Sequence, residues 1–262
     1  MTERGFRDQW TEVEYDSTRL RIHSLRSEDG QFESPPVVFL PGLGASAATV
    51  VPTAKLLDCA RDLYLVDLPG LGRSDKPPSA LDVEGLADVV IALLHVLGIG
   101  PVALVGHSLG SEVAVDLAVR RPNLVERVAL VSPTVDPQAD TFAKQLFRLA
   151  QDGLHEPPPL LWLLARDYAR AGVRSLVSVG RAAVRDHVEQ KLPQLEAPTL
   201  VVRGGRDPLV PAAWAEEICR LVPDAELVVI PRATHAVPYS APVELAGALQ
   251  AFLARSAVGS SP

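Results

Sequence analysis

The 262-residue chain has only two cysteines, one methionine and 5% aromatic residues. Cys59 and Cys219 lie far apart and belong to no CxxC or Cys/His cluster, which argues against a disulfide framework or a structural zinc site. They read as two free, buried or partly buried thiols. Positive charge is not in surplus: 25 basic against 32 acidic residues leave a net charge of −7. A general nucleic-acid binder, which presents a basic face to phosphates, is therefore not expected. The longest apolar stretches are interrupted by His95, Gly98 or Arg166, too soon to cross ~30 Å of hydrocarbon. The opening residues Met1–Asp8 are polar and hold no apolar leader core, so no secretory signal and no membrane association are expected, and the cytoplasm is the default compartment. No H-E-x-x-H or phosphate loop occurs, and Gly70-Leu71-Gly72-Arg73-Ser74 lacks the third glycine of a dinucleotide fingerprint. No metal and no nucleotide cofactor is indicated.

What is present is a globular composition, 47% hydrophobic and 22% charged, in a chain between one and two domains in length. Thr11–Tyr15 and Arg19–Leu25 alternate polar and apolar residues, as a half-solvated antiparallel hairpin does. Short, wholly apolar runs then follow, each stopping at a turn: Val37–Leu40, Leu63–Val66, Val102–Val105, Arg127–Val131, Thr199–Val202 and Leu227–Ile230. Such strands suit a parallel sheet covered on both faces. Between them Leu81–Leu97, Ser111–Arg121, Ala212–Leu221 and Val243–Ala254 carry apolar residues at helical spacing. The alternation predicts an α/β fold with a mainly parallel sheet.

The rhythm breaks from Pro137 to Leu195. This stretch contains Pro157-Pro158-Pro159 and predicts helices around Leu160–Gly172 and Ser175–Gln190, with no strand. It is too long for a plain loop and reads as a helical lid over 137–195, set into a core of 1–136 and 196–262. Its 8 basic minus 6 acidic residues give +2, leaving −9 elsewhere. Arg166, Arg170 and Arg174 fall four apart, as on one helix face. That face reads as solvated, with docking of an acidic carrier protein or a carboxylate-bearing substrate as the alternative. Ser256–Pro262 reads as a frayed tail, and no internal repeat is found.

The strongest chemical signal is Gly106-His107-Ser108-Leu109-Gly110, between a predicted strand and a predicted helix. G-x-S-x-G at a strand-to-helix turn lifts a serine Oγ above the sheet, and the flanking glycines avoid collisions. The helix start also aims N–H groups at developing negative charge. A serine hydroxyl needs a base, and the base a carboxylate to orient it. Asp207, in Gly204-Gly205-Arg206-Asp207-Pro208, and His235, in Thr234-His235-Ala236-Val237-Pro238, both follow predicted strands. All three residues thus fall on the carboxyl edge of a parallel sheet. Asp136, after the sixth strand, is the competing acid; the Gly-Gly-Arg-Asp-Pro context favours Asp207. Asp67 and Asp75 suit turn capping. His23, His95, His155 and His187 read as satisfied or solvated side chains.

With these motifs the chain resembles the α/β-hydrolase-fold proteins that have a serine nucleophile and a helical lid, over nearly its whole length. Pro41-Gly42-Leu43-Gly44-Ala45-Ser46 resembles the family's oxyanion loop, and Asp67-Leu68-Pro69-Gly70-Leu71-Gly72-Arg73-Ser74-Asp75 the turn after its fourth strand. The resemblance implies an eight-stranded, mainly parallel sheet flanked by helices, with the lid inserted after the sixth strand. It also implies oxyanion-hole N–H groups on Leu43 and Leu109, with Ser108, Asp207 and His235 as the triad. Pro41-Gly42 stands where many members have His-Gly. Ser108 argues against dehalogenases and epoxide hydrolases of this fold, whose nucleophile is aspartate. Ala236 after the histidine argues against ring-fission C–C hydrolases.

The implied activity is hydrolysis of a carboxylic ester or thioester of a small molecule with an apolar acyl group, without a cofactor. His107, Leu161, Trp162 and Val237 are expected to line the pocket, the two insertion residues alternatively packing lid on core. A lyase, cyclase, dehydratase or cofactor-free oxygenase using the His–Asp pair as a general base, a C–C bond hydrolase, and a non-catalytic receptor stay open as readings of the same residues. Substrate identity and oligomeric state are not legible.

Overall fold

In Val37-Val38-Phe39-Leu40 successive side chains serve two different cores. Val38 and Leu40 join one apolar cluster, while Val37 and Phe39 join the other. Strand side chains alternate between faces, so a strand covered on both sides is apolar at every position. The structure, a computed structural model, describes residues 5–28, 32, 34–137 and 141–255. The tail at Ser256–Pro262 lies outside the described residues.

The strands are β1 (Phe6–Tyr15), β2 (Thr18–Ser27), β3 (Ser34–Leu40), β4 (Arg61–Val66), β5 (Val102–His107), β6 (Val125–Val131), β7 (Thr199–Gly204) and β8 (Ala225–Ile230). They form one eight-stranded sheet in the order β1-β2-β4-β3-β5-β6-β7-β8. The first two are the expected antiparallel hairpin; β2 pairs antiparallel with β4, and every later pairing is parallel. Asp16 and Ser17 turn the hairpin with positive φ values of 46° and 60°, the backbone twist that tight hairpin turns require.

Helices α1 (Val51–Leu56), α9 (Val237–Ser240) and α10 (Pro242–Leu253) pack on one face, and α2 (Val83–Leu97), α3 (Leu109–Arg120) and α8 (Ala212–Leu221) on the other. The start of α2 is set by Asp82, whose carboxylate accepts from Gly85 N–H, and its end by left-handed Gly98, so both termini are capped. Cys59 and Cys219 are partly buried and are not joined in a disulfide.

Between β6 and β7 the chain forms α4 (Phe142–Gly153), α5 (Pro158–Ala171), α6 (Val173–Val184) and the short α7 (Val188–Lys191). The sequence reading misses α4 and merges α6 with α7. Helix α4 buries Gln145 and Asp152 while Leu146 and Phe147 are 53% and 65% exposed. Gly172, at φ 82°, ends α5. Arg174 therefore belongs to the next helix, and the expected arginine ladder is not a single helix face. Arg166 instead pairs with Asp167 at 2.9 Å.

Candidate active site

Strand β3 has β4 on one side and β5 on the other. Connections that leave two neighbouring strands in opposite directions open a crevice at their carboxyl ends. Leu40 of β3 aligns with Gly106 of β5, so the Pro41–Ser46 loop and the Ser108 turn share that crevice. A Cβ on Gly42 would sit 3.1 Å from Ser108 Cβ.

Ser108 has φ 53° and ψ −121°, a strained conformation for a residue with a side chain, costing about 1–3 kcal/mol. The surroundings hold it there. Ser108 N–H donates to Val131 O (3.0 Å), Ser111 N–H to Ser108 O (2.8 Å) and Ser111 Oγ to Gly106 O (2.8 Å). A Cβ on Gly106 would collide with the Gly110 carbonyl, and one on Gly110 with the Leu40 carbonyl; glycine is required at both positions for the backbones to approach this closely. Leu109 is the first residue of α3, so its N–H has no acceptor within the helix. Leu43 follows the glycine that touches Ser108.

His235 and Asp207 arrive from the ends of β8 and β7. His235 Nδ1 lies 2.9 Å from Asp207 Oδ2. The other carboxylate oxygen, Oδ1, accepts from the Leu209 and Val210 N–H groups at 2.8 and 3.2 Å. Burial opposes charge on Asp207, but the His235 charge and hydrogen bond, with the Leu209 N–H, hold it below its ordinary value. Burial likewise opposes charging of His235, yet the Asp207 charge and hydrogen bond, then Asp152 and Glu156, raise it above 6.5. Asp136, the competing acid, is taken by Arg148 of α4 at 2.7 Å.

His107 ties the serine turn to the histidine loop. Its Nε2–H donates to the His235 carbonyl at 3.0 Å, and the two rings stand 5.2 Å apart. Burial, then the neighbouring His235 charge, push it down to about 3, so it stays neutral at physiological pH. The predicted pocket wall needs correcting elsewhere. Helix α5 turns Leu160, Leu163, Asp167 and Ala171 inward, which leaves Leu161 40% and Trp162 68% exposed. Trp162 stacks under Arg166 at the surface. Val237 is fully buried, but in the apolar core beside α10.

Asp67 caps a turn, as expected: it accepts from the Ala47 and Arg73 N–H groups and meets His23 Nδ1 at 2.8 Å. Asp75 accepts from Arg21 N–H at 3.0 Å. Sequence reasoning missed three insertion carboxylates. Asp152 Oδ1 accepts from His235 N–H at 3.0 Å, Glu156 Oε1 from Ala236 N–H at 2.9 Å, and Asp167 Oδ2 from Ser46 N–H at 3.1 Å. The spacing of Asp152 and Glu156, one helical turn apart, was visible in sequence, but backbone partners on a distant loop leave no side-chain pattern. Among the described residues no cluster of histidine, cysteine, aspartate or glutamate side chains is arranged to hold a metal ion. Nor is any helix among them long and apolar enough to cross a membrane.

Comparison with known proteins agrees with this architecture. The chain is 31% identical over 258 residues to the mouse (Mus musculus) sn-1-specific diacylglycerol lipase ABHD11, covering 86% of this chain and 83% of that protein. It is 26% identical over 241 residues to the (E)-2-((N-methylformamido)methylene)succinate hydrolase of Acinetobacter baylyi, covering 85% and 92% of the two chains. A thermophilic esterase from Thermogutta terrifontis superposes with a TM-score of 0.80 at 20% identity, over 94% of this chain and 98% of that one; this similarity speaks to the fold. A model of the alpha/beta hydrolase family matches residues 37–248. The chain belongs to the alpha/beta hydrolase family, and its similarity to the two hydrolytic relatives above supports hydrolase activity in general.

Proposed function

We propose that the protein is a serine hydrolase that cleaves a carboxylic ester or thioester of a largely apolar acyl group through an acyl-enzyme on Ser108. The observation that carries this reading is the Asp207–His235 hydrogen bond of 2.9 Å, on a loop that His107 ties to the strained Ser108 turn.

In this mechanism His235 Nε2 takes the Ser108 proton as Oγ attacks the acyl carbon, and the Leu43 and Leu109 N–H groups receive the oxyanion. The C–O or C–S bond then breaks, the leaving group taking the proton from the imidazolium. Water, deprotonated by the same nitrogen, releases the acid and frees Ser108. Asp207 orients the ring and stabilises its charged form throughout. Donors fixed before reaction stabilise the developing charge by several kcal/mol in the range of ~3–4 per group.

The apolar acyl preference is supported by what the insertion presents to the Pro41–Ser46 loop. Positions next to Gly44 and Gly180 are filled by Tyr168, Leu176, Phe142 and Leu43. The resemblance to a diacylglycerol lipase points in the same direction. The insertion acts as a lid over this site.

Intact-mass analysis after fluorophosphonate treatment tests the reading. Wild type takes up one label, and Ser108→Ala and His235→Ala take up none or little; an ester and thioester chain-length panel then defines the acyl group. Turnover retained in Ser108→Ala but lost in His235→Ala would instead establish general-base chemistry without an acyl-enzyme.

A further inference from the structure

Asp207 already occupies one ring nitrogen of His235, but two more buried carboxyl groups meet the same loop from the insertion. Asp152 lies on α4 and Glu156 just beyond it, and they are 3% and 7% exposed. They accept from consecutive backbone N–H groups, His235 at 3.0 Å and Ala236 at 2.9 Å. Neither bond involves the imidazole. We propose that Asp152 and Glu156 are positioning residues for His235: they grip the peptide groups of its loop and bring to the imidazole a negative charge that only the seated insertion supplies. This rests on the serine-hydrolase reading above for its catalytic consequence.

Geometry carries the argument. The loop from Thr234 to Pro238 is held on one side by His107, whose Nε2–H donates to the His235 carbonyl. Asp152 takes the N–H of that same residue on the other side. The His235 peptide is therefore pinned at both its polar atoms, one from the serine turn and one from the insertion. Removing Asp152 leaves a buried N–H unpaired, a costly state that loop movement relieves. A second grip lies across the crevice, where Asp167 accepts from Ser46 N–H. The insertion thus straddles the site, holding the histidine loop and the Pro41–Ser46 loop separately.

Electrostatics supports the same assignment. The charged groups facing His235 are Asp207 from the loop after β7, Asp152 and Glu156 from the insertion, and neutral His107 from the serine turn; Tyr168 on α5 senses Asp152. Burial, opposed by the His235 N–H and charge and reinforced by Glu156, pushes Asp152 up to about 7. Losing Glu156 alone relieves Asp152, which then carries the charge itself. Only neutralising both removes the negative charge that the insertion adds to that of Asp207, and that change lowers the His235 pKa.

The test measures fluorophosphonate labelling rate against pH, alongside NMR titration of the His235 imidazole. The proteins compared are wild type, Asp152→Ala, Asp152→Asn, Asp152→Asn/Glu156→Gln and Asp167→Asn. Asparagine and glutamine keep an acceptor oxygen, so the double variant preserves the grip while removing charge. The acid limb and the His235 titration of the double variant both move down by about one pH unit. Asp152→Ala labels about tenfold more slowly and Asp152→Asn recovers most of that loss. Asp167→Asn, which removes charge only at the other grip, leaves the limb where it is. An unmoved His235 titration in the double variant, or Asp152→Ala labelling at the wild-type rate, overturns the assignment. Absence of labelling in wild type would strike the serine-hydrolase reading instead, and the NMR titration would still decide whether the two carboxyl groups charge His235.

Discussion

The sheet edge and the insertion bound the same crevice, yet they are held by different means. At the sheet edge the backbone itself is the constraint: Ser108 is strained, and Gly106 and Gly110 leave no room for a Cβ. The insertion sits on three carboxylate–amide bonds, from Asp152, Glu156 and Asp167, and on close approaches such as Tyr168 to Gly44 and Gly180 to Leu43. Its outer surface is unusually apolar, with Phe147, Leu154 and Trp162 65%, 84% and 68% exposed. The two aspartates that meet His235 show the same division. Asp207, from the sheet, is held below its ordinary pKa, whereas Asp152, from the insertion, is raised to about 7. The turn that bears Ser108 is thus fixed by a geometry the main chain imposes, whereas the insertion is held by a handful of side-chain contacts.

Breaking the sheet side has the largest effect. Ser108→Ala lowers kcat by about 10⁴- to 10⁶-fold, with an unchanged thermal unfolding midpoint; steady-state kinetics and calorimetry check both halves. Asp207→Asn leaves His235 without its charged orienting partner and lowers kcat by about 10³- to 10⁴-fold. The pH profile comes next. Because the His235 pKa is raised above 6.5, its protonated form persists to higher pH than in a free imidazole. The acid limb of kcat/KM therefore lies above 6.5, and activity drops about tenfold per unit below it as the base becomes protonated. A limb below 6.5 would contradict the charge arrangement around His235.

Changes in the insertion are milder. Gly180→Ala pushes a methyl against Phe142, and overpacking there unseats α6 by about 1 kcal/mol or more. KM for long acyl chains rises about fivefold while kcat changes less. Trp162→Ala has the smallest effect, with KM within about twofold and stability within about 0.5 kcal/mol of wild type. A tenfold loss in Trp162→Ala would restore that residue to the pocket wall.

The parallel strands were legible because their burial on both faces makes every position apolar, as in Val37–Leu40. Ser108 was legible because glycines flank it at fixed spacing, Gly106 demanded by the Gly110 carbonyl of the same turn and Gly110 by the Leu40 carbonyl of the neighbouring strand. Asp207 could be preferred over Asp136 only by the turn around it; the structure adds that Asp136 is committed to Arg148. Helix α4 carries Phe142, Leu146 and Leu149 at helical spacing, but it buries Gln145 and Asp152 and exposes Leu146 and Phe147, so its apolar residues do not reveal how it packs. Trp162 misled for a related reason: an aromatic beside leucines suggests an inward stripe, but Leu160 and Leu163 fill it. The carboxylate grips were hidden because their partners are peptide N–H groups, which every residue but proline carries.

Strands β6 and β7 are parallel neighbours, with Val128 beside Thr199. The chain leaving one must therefore return along the sheet before entering the other, whatever lies between. Closure entropy grows only logarithmically with the length of such a detour, about 0.6 kcal/mol for each doubling. A crossover that the topology already obliges can thus be lengthened, shortened or exchanged at little thermodynamic cost. The register of the two strands, and the turn that carries Ser108 beside them, do not depend on its length. The span from α4 to α7 is in that sense an interchangeable part, clipped at both ends to a frame that does not change.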